Sequence, residues 1–435
     1  MKQNRKTMKK TILICIMPFL ATMTTMADSE VMICANNATA ENTTLTLPQG
    51  KLTGSDNGGI LFKIKGQYSG YCQLDMGRMS KLIYIEDGGR LTVNRNLVTK
   101  EYVYKGKGAA ENDYLASHEY ERIILKDDAK NGNALNDSIK KREDRLETEK
   151  SLSATFRRLE ALRQRYGVLN AFYRQTGWDS SALPQVAAWM EEHPELWMTQ
   201  AYRSFYLDAL YTIGMQKGGK AIHDYTNAEL HYAADNIADI TLRDLVAHHV
   251  MTTYMTQRGA NDADDLMSLY LSMSHDDTMR SHISDEYRLW EKVKRGSSIP
   301  DFAFGDTQGN KVMLSDLRGK YVLIDCWATW CGPCKAQLPH LEKTMERYAG
   351  KNIVFVSISS DKKRDAWLKM VNDRNMKGIQ LNEPDAEADF FTLFRVNAIP
   401  RFILLAPDGT VQDSHLPRPS DPALNTLLDE LVGNK

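Results

Sequence analysis

Cys331-Gly332-Pro333-Cys334 brings together residue types and a spacing that can do chemistry. The four residues follow the apolar run Tyr321-Val322-Leu323-Ile324 and precede a helix-like stretch, which places a thiol at a helix N-terminus. There the unpaired backbone N–H groups and the positive end of the helix dipole favour the thiolate, the form that attacks disulfides. Pro333 falls in the first turn, where its missing N–H costs nothing. Position then assigns roles. Cys331, first and more exposed, is the expected nucleophile; Cys334, one turn on, resolves the mixed disulfide by attacking Cys331 and releasing the reduced partner. The competing chemistry for C-x-x-C is half of a zinc site, which needs two more ligands at suitable spacing. No second C-x-x-C or H-x3-5-H accompanies the pair and His340 stands alone, so neither metal nor other cofactor is expected.

The elements that must position this pair begin after Arg295-Gly296-Ser297-Ser298-Ile299-Pro300, a linker of small and breaking residues. Asp301-Phe302-Ala303-Phe304 and Lys311-Val312-Met313-Leu314, separated by Gln308-Gly309-Asn310, predict a hairpin. Upstream, from about Asn136 to Lys294, the apolar period is helical. Leu152, Phe156, Leu159, Leu162, Tyr166, Leu169 and Phe172 step by three or four along one face of a long amphipathic helix. Further helical runs are expected at Gln185 to Glu192, Met198 to Met215, Asn227 to Ile237, Leu242 to Thr256 and Asp264 to Met273. The aromatic stripe Trp197, Tyr202, Phe205 and Tyr206 reads as core, and adjacent His248 and His249 face different sides of a helix, a poor metal geometry. From about Thr43 to Tyr104, short runs such as Ile60 to Ile64 and Leu82 to Ile85, bounded by Asn57-Gly58-Gly59 and Asp87-Gly88-Gly89, predict a small antiparallel β domain.

The expected organisation is therefore multidomain: a β-sandwich-like domain over 28–120, a helical domain over 121–296 and an α/β domain over 297–435. With 435 residues and 42% hydrophobic content the chain can bury several cores. Lys+Arg 55 against Asp+Glu 56 leaves no basic excess, which argues against nucleic acid as a partner. Lys2, Arg5, Lys6, Lys9 and Lys10, the apolar Thr11 to Leu20 and Thr25-Met26-Ala27 read as a signal peptide over 1–27, too short an apolar run to span a bilayer. Its removal takes away five positive charges and no acid, moving the formal net charge from −1 to −6 and predicting a soluble exported protein of the periplasm or cell envelope. Ile14 precedes Cys15 where a lipid-anchor site carries a small residue, so no lipid anchor is expected there. In an oxidising compartment Cys34 and Cys72 could form a structural disulfide or stay apart, Cys34 lying in a polar stretch; Cys326, inside the strand before the active pair, reads as a small buried apolar residue.

The Trp330-Cys331-Gly332-Pro333-Cys334 segment resembles thioredoxin. With the hairpin, Leu314-Ser315-Asp316-Leu317-Arg318-Gly319-Lys320 and Val396-Asn397-Ala398-Ile399-Pro400 in the same order, the region from about Ser298 to Lys435 is similar to the TlpA and ResA type of exported thiol-disulfide oxidoreductase. The β region, with Gly106-Lys107-Gly108-Ala109-Ala110-Glu111-Asn112-Asp113-Tyr114 near its end, looks like an uncharacterised β domain that precedes such domains in some Gram-negative envelope proteins. The resemblance implies a central mixed sheet flanked by helices, with the active-site helix running from about Cys331 to Tyr348 and interrupted at Pro339. It implies that Pro400 is a cis-proline setting backbone Ile399 against the pair, and that Trp330, Gly332, Pro333 and Arg401 border an extended substrate segment. Asp325 corresponds to a buried carboxylate suited to take a proton from Cys334; a hydrogen-bonded strand-end Asp is its ordinary alternative. Two residues depart from the pattern. Gln337 replaces a titratable Glu, and Arg401 replaces a Thr, where it is either a cation beside Cys331 or a solvated side chain.

These readings together predict a thiol-disulfide oxidoreductase of the protein-disulfide reductase type. The resemblance adds a membrane electron donor of the DsbD type and protein thiols or disulfides as substrates. A thiol peroxidase is the rival enzyme, since the Leu314 to Lys320 run also occurs there, but its Pro-x3-Thr/Ser-x2-Cys context is absent around Cys331. A binding or assembly protein with an accessory C-terminal domain is the rival from another class.

Overall fold

The structure is a computed structural model and describes residues 28–34, 38–56, 59–95, 101–118, 132–176, 183–383 and 389–432. The expected signal peptide, Cys15 and the Asn57-Gly58 part of one turn lie outside these residues. By contacts the chain forms two compact units, Met1–Arg122 with Arg142–Leu162, and Ile123–Lys141 with Arg163–Lys435. No described helix is long and apolar enough to cross a membrane.

The first unit is built on strands β1 (Ser29–Cys34), β2 (Thr43–Leu47), β3 (Gly50–Thr53), β4 (Ser55–Asp56), β5 (Ile60–Ile64), β6 (Gly70–Met76), β7 (Met79–Ile85), β8 (Arg90–Arg95) and β9 (Tyr102–Gly106). They make one sheet in the order β4-β5-β1-β8-β9 and another in the order β3-β2-β6-β7. Alternate residues such as Val31, Ile33, Leu45, Leu47, Cys72, Leu74, Leu91 and Val93 enter one apolar core, the burial expected of strands with one wet face. Two expectations are corrected. The strands begin before Thr43, since the stretch holding Cys34 is the central strand β1, and β1 pairs with β8 in parallel, so the sheet is mixed rather than antiparallel. Of the two outcomes left open for Cys34 and Cys72, the structure has them apart: both are free thiols, Cys34 on β1 of one sheet and Cys72 on β6 of the other. Helix α1 (Ala109–Ser117) follows, and buried Asn112 ties it to the strands through the backbone of Tyr84, accepting from its N–H at 3.0 Å and donating to its carbonyl at 2.7 Å.

Helices α2 (Gly132–Thr148) and α3 (Ala154–Thr176) each contribute to both units. The expected stripe on α3 is buried at Phe156, Leu159, Tyr166 and Leu169. The second unit continues with α4 (Leu183–Trp189), α5 (Gln200–Gly218), α6 (Ile222–Asn236), α7 (Ile240–Arg258), α8 (Asp264–Met273) and α9 (Asp277–Glu291). Asp239 and Asp276 cap α7 and α9 by accepting the N–H of Leu242 and Met279, and Gly259, at φ +63, ends α7. Tyr202, Phe205 and Tyr206 are core residues, as their spacing implied.

The α/β part of that unit contains β10 (Ala303–Asp306), β11 (Lys311–Met313), β12 (Tyr321–Trp327), α10 (Gly332–Arg347), β13 (Ile353–Ser359), α11 (Arg364–Asp373), β14 (Ile379–Asn382), α12 (Asp389–Leu393), β15 (Arg401–Leu405), β16 (Val411–Asp413) and α13 (Pro422–Val432). Its seven strands run in the order β11-β10-β14-β13-β12-β15-β16. Strands β12, β13 and β14 are mutually parallel, β15 returns antiparallel beside β12, and the hairpin of β10 and β11 closes one edge. Gly309 turns that hairpin at φ +90, while Asp306 accepts the N–H groups of Gln308 and Asn310. Because β12 has neighbours on both sides and is buried along nearly its whole length, whatever follows its C-terminal end is held by a strand constrained on both edges.

Candidate functional site

The end of β12 feeds through Ala328-Thr329-Trp330 into α10, and Cys331 is the N-cap of that helix. Its Sγ accepts the N–H of Cys334 at 3.1 Å, so one orphan donor of the helix start points at the sulfur, as the sequence implied. Cys331 and Cys334 form a disulfide, S–S 2.00 Å with Cα atoms 5.3 Å apart. Cys331 and Cys334 belong to a small core with Trp327, Ala328, Trp367 and Val371. Cys331 is only 4% exposed and Cys334 2%, so the expected contrast in exposure is slight. The rim is open instead: Trp330 is 70% exposed, and Gly332 and Pro333 are exposed.

The loop before β15 completes the rim. The Ile399-Pro400 bond is cis, and the Ile399 carbonyl stands 3.7 Å from Cys331 Sγ. A loop carbonyl beside a sulfur can receive an N–H from an extended peptide laid across the pair. Pro400 directly precedes β15, and Pro339 sits inside α10, where its ring removes one backbone donor.

Asp325 lies on β12 between Leu323 and Trp327, on the same face of the strand. Leu323 shares an apolar cluster with Leu341 of α10, and Trp327 one with Cys334, so this face of the strand, with the carboxylate on it, is the one that α10 covers. It is 3% exposed, and the hydroxyl of Ser357 on neighbouring β13 donates to it at 3.4 Å. Burial pushes its carboxyl up to about 7, with the Ser357 hydrogen bond opposing. A carboxyl poised there can accept or return a proton near neutrality.

Cys326 points to the other face. It is fully buried and its thiol is pushed well above the ordinary range by burial, then by Asp325, as suits the apolar role read from its position. Arg401 takes neither expected place. It pairs with Cys326 in register across β12 and β15, and its guanidinium carbon lies 5.9 Å from the ring centre of Trp290 with Nη1 buried. Strand alternation turns it to the face of Cys326, away from that of Asp325, so it is not a cation at the rim. Gln337 is likewise engaged elsewhere: its Oε1 accepts the N–H of Ser420 at 3.1 Å.

One residue at the site carried no motif to announce it. Buried Asp361, after β13, accepts the N–H of Thr329 at 2.8 Å and its hydroxyl at 2.7 Å, and accepts the Ser359 hydroxyl at 2.7 Å. It fixes the turn between β12 and the cysteines from across the sheet. A Ser-Ser-Asp sequence closing an apolar strand was the only local signal. Among the described residues there is no group of three or more His, Cys, Asp or Glu placed to hold a metal.

Residues 319–411 match the family model described as thioredoxin-like. The chain is 30% identical over 140 residues to a thioredoxin-like protein of Bacillus subtilis (strain 168), YneN, covering 32% of this chain and 80% of that one. It is 29% identical over 124 residues to the thiol-disulfide oxidoreductase ResA of the same organism, covering 28% of this chain and 66% of the relative, about two thirds of its length. Among solved structures, the thioredoxin domain of a thiol-disulfide oxidoreductase of Bacteroides vulgatus, BVU-2223, is 28% identical, with 32% of this chain and 97% of that chain covered and a TM-score of 0.30.

Proposed function

Because the chain belongs, through its C-terminal domain, to the thioredoxin-like family of thiol-disulfide oxidoreductases, we propose that it is an exported reductant of protein disulfides. The observation that carries the reading is the Cys331–Cys334 disulfide at the start of α10, with the Ile399 carbonyl beside Sγ and Asp325 buried under the same helix. In the reduced protein the Cys331 thiolate attacks one sulfur of a client disulfide, forming a mixed disulfide and releasing the client's other sulfur as a thiolate. Cys334 loses its proton to Asp325 and attacks Cys331, which expels the client's second thiolate and restores the internal disulfide. Two electrons pass to the client, and protons from Asp325 and solvent complete its two thiols. Trp330, Gly332, Pro333, Ile399 and Pro400 border the edge on which an extended client segment lies.

Recharging returns two electrons and one proton to the pair, restoring the Cys331 thiolate and the Cys334 thiol, from a membrane protein of the DsbD type that draws on the cytosol. The address at residues 1–27 and the lack of basic excess support an envelope location and protein rather than nucleic-acid partners. In this reading the β-sandwich-like part at 28–120 and the helical part at 121–296 serve the thioredoxin-like part at 297–435 by selecting or presenting clients.

Trapping tests the reading. Cys334→Ala in the full chain leaves Cys331 unable to discharge, so mixed disulfides accumulate and mass spectrometry identifies the clients. Recovery of no more disulfide-linked protein than with a variant lacking both cysteines would refute client reduction.

A further inference from the structure

The loop that carries Ile399 is held from behind by a helix outside the α/β part. Arg395 begins the loop, just past α12, and Arg401 ends it at the first residue of β15. Both guanidiniums lie on one indole ring: their central carbons are 5.5 Å and 5.9 Å from the centre of Trp290 on α9. Trp290 is 3% exposed, and the ring of His415 lies 4.8 Å from it. At Gly259, the end of α7, an added Cβ would stand 3.0 Å from the same ring, so that helix approaches closely because it ends in glycine. One turn before Trp290 on α9, Glu286 accepts both of its hydrogen bonds from Arg395 Nη2 at 2.7 Å.

Two like charges on one ring repel each other, and what offsets the repulsion is the ring face together with the Glu286 carboxylate. Arg395 Nε and Arg401 Nη1 are buried without hydrogen-bond partners, so these guanidiniums depend on the ring more than ordinary ones do. Arg395 also sits at φ +49, a left-handed conformation that a non-glycine residue keeps only when its surroundings enforce it. The segment between the two arginines contains the carbonyl that stands against Cys331.

We propose that Trp290 is a positioning residue for polypeptide substrates: it clamps both ends of the 395–401 loop, so that the helical region sets how well the Ile399 edge receives a client. The proposal rests on the reading of that edge as the client's docking strand. Small disulfides, which reach the sulfur without laying a strand along the loop, are indifferent to the clamp.

The test uses full-length protein, pre-reduced and freed of reductant, mixed in single turnovers with increasing insulin or hydroxyethyl disulfide while loss of its thiols is followed. In Trp290→Ala the insulin concentration for half-maximal rate rises about five-fold, and in Glu286→Gln about two-fold. The limiting rate with insulin and the rate with hydroxyethyl disulfide both stay within about two-fold, and Trp290→Phe recovers most of the insulin affinity. Equal loss toward both disulfides, or an unchanged insulin dependence, overturns the clamp. Should Trp290→Ala fail to fold, the half-buried Glu286→Gln decides. A wild-type protein that keeps its thiols with both disulfides would instead refute the oxidoreductase reading.

Discussion

Cys326 and Cys331 are five positions apart on one continuous piece of backbone, and their surroundings give them opposite chemistry. Cys326 lies in the middle of a sheet, fully buried, with its backbone groups paired to strands on both sides and its thiol raised by burial. Cys331 lies where the strand has ended and a helix begins, so a free N–H points at its sulfur and a neighbouring loop supplies a carbonyl. Both are nearly inaccessible in this oxidised form, so exposure does not separate them. Backbone context does: a strand interior consumes its polar groups in the ladder, whereas a helix start has some left over to aim at a ligand or a sulfur. Cys72, inside the β sandwich and pushed up to about 12 by burial, repeats the Cys326 case in the other unit.

The comparison breaks most visibly if the wrong thiol matters. Cys331→Ser should lower reduction of insulin by about three orders of magnitude or more, to the background rate, while Cys326→Ala stays within about two-fold in a turbidity assay. Comparable losses in both would show that the strand interior takes part in the chemistry.

Asp325 sharpens the contrast from the carboxylate side. Asp325→Asn should slow release of the mixed disulfide about a hundredfold at pH 7, read by quenched-flow trapping of the intermediate. Its carboxyl is raised to about 7 in the folded oxidised protein, against about 3.9 in an unfolded chain. The stability linked to that shift is full below about pH 4 and is lost as pH rises through about 7. The Asn variant lacks this loss, so above pH 7 it should be more stable than wild type by a few kcal/mol in urea titrations, and no more stable at pH 4. An activity loss without that pH-dependent gain would mean that the substitution merely disturbs packing.

Alkylation gives a smaller and more graded difference. In reduced protein at pH 7, iodoacetamide should modify Cys331 first, with Cys326 and Cys72 at least about a hundredfold slower and reacting only on unfolding; peptide mapping with time reads the order. Early labelling of Cys326 would erase the difference between the strand-interior and helix-start thiols. The least effect is expected at Gln337→Glu, within about two-fold in activity, because that side chain accepts from Ser420 and a carboxylate can do the same. A marked change in the pH profile of this variant would bring α10's second turn into the proton chemistry.

What was legible in the chain was what local pattern controls. The cysteine spacing after an apolar run placed the strand, the helix cap and the pair; the Gly309 turn placed the hairpin; the 3.6-residue stripe placed α3. What pattern missed was set by partners distant in sequence. Arg401, next to Pro400, read as either a rim cation or a solvated side chain, yet strand alternation and a tryptophan more than a hundred residues earlier take its side chain elsewhere. Asp361 has no motif, and only the crossing of β13 beside β12 brings it to Thr329. Ser29–Cys34 alternates inward and outward as strands do, but it is short and bordered by polar residues, so its role as a sheet centre depends on pairing with β5 and β8.

The recessed sulfur of Cys331 has a consequence for traffic through the site. With 4% of the residue open and an indole standing 70% free at the threshold, the visitor must bring its bond inward. A disulfide locked inside a stiff globule cannot make that approach, while one in a slack or half-assembled chain can. On the proposed reading of the site as a reductant of client disulfides, the entrance sorts visitors by pliancy, and maturing chains are served before finished ones.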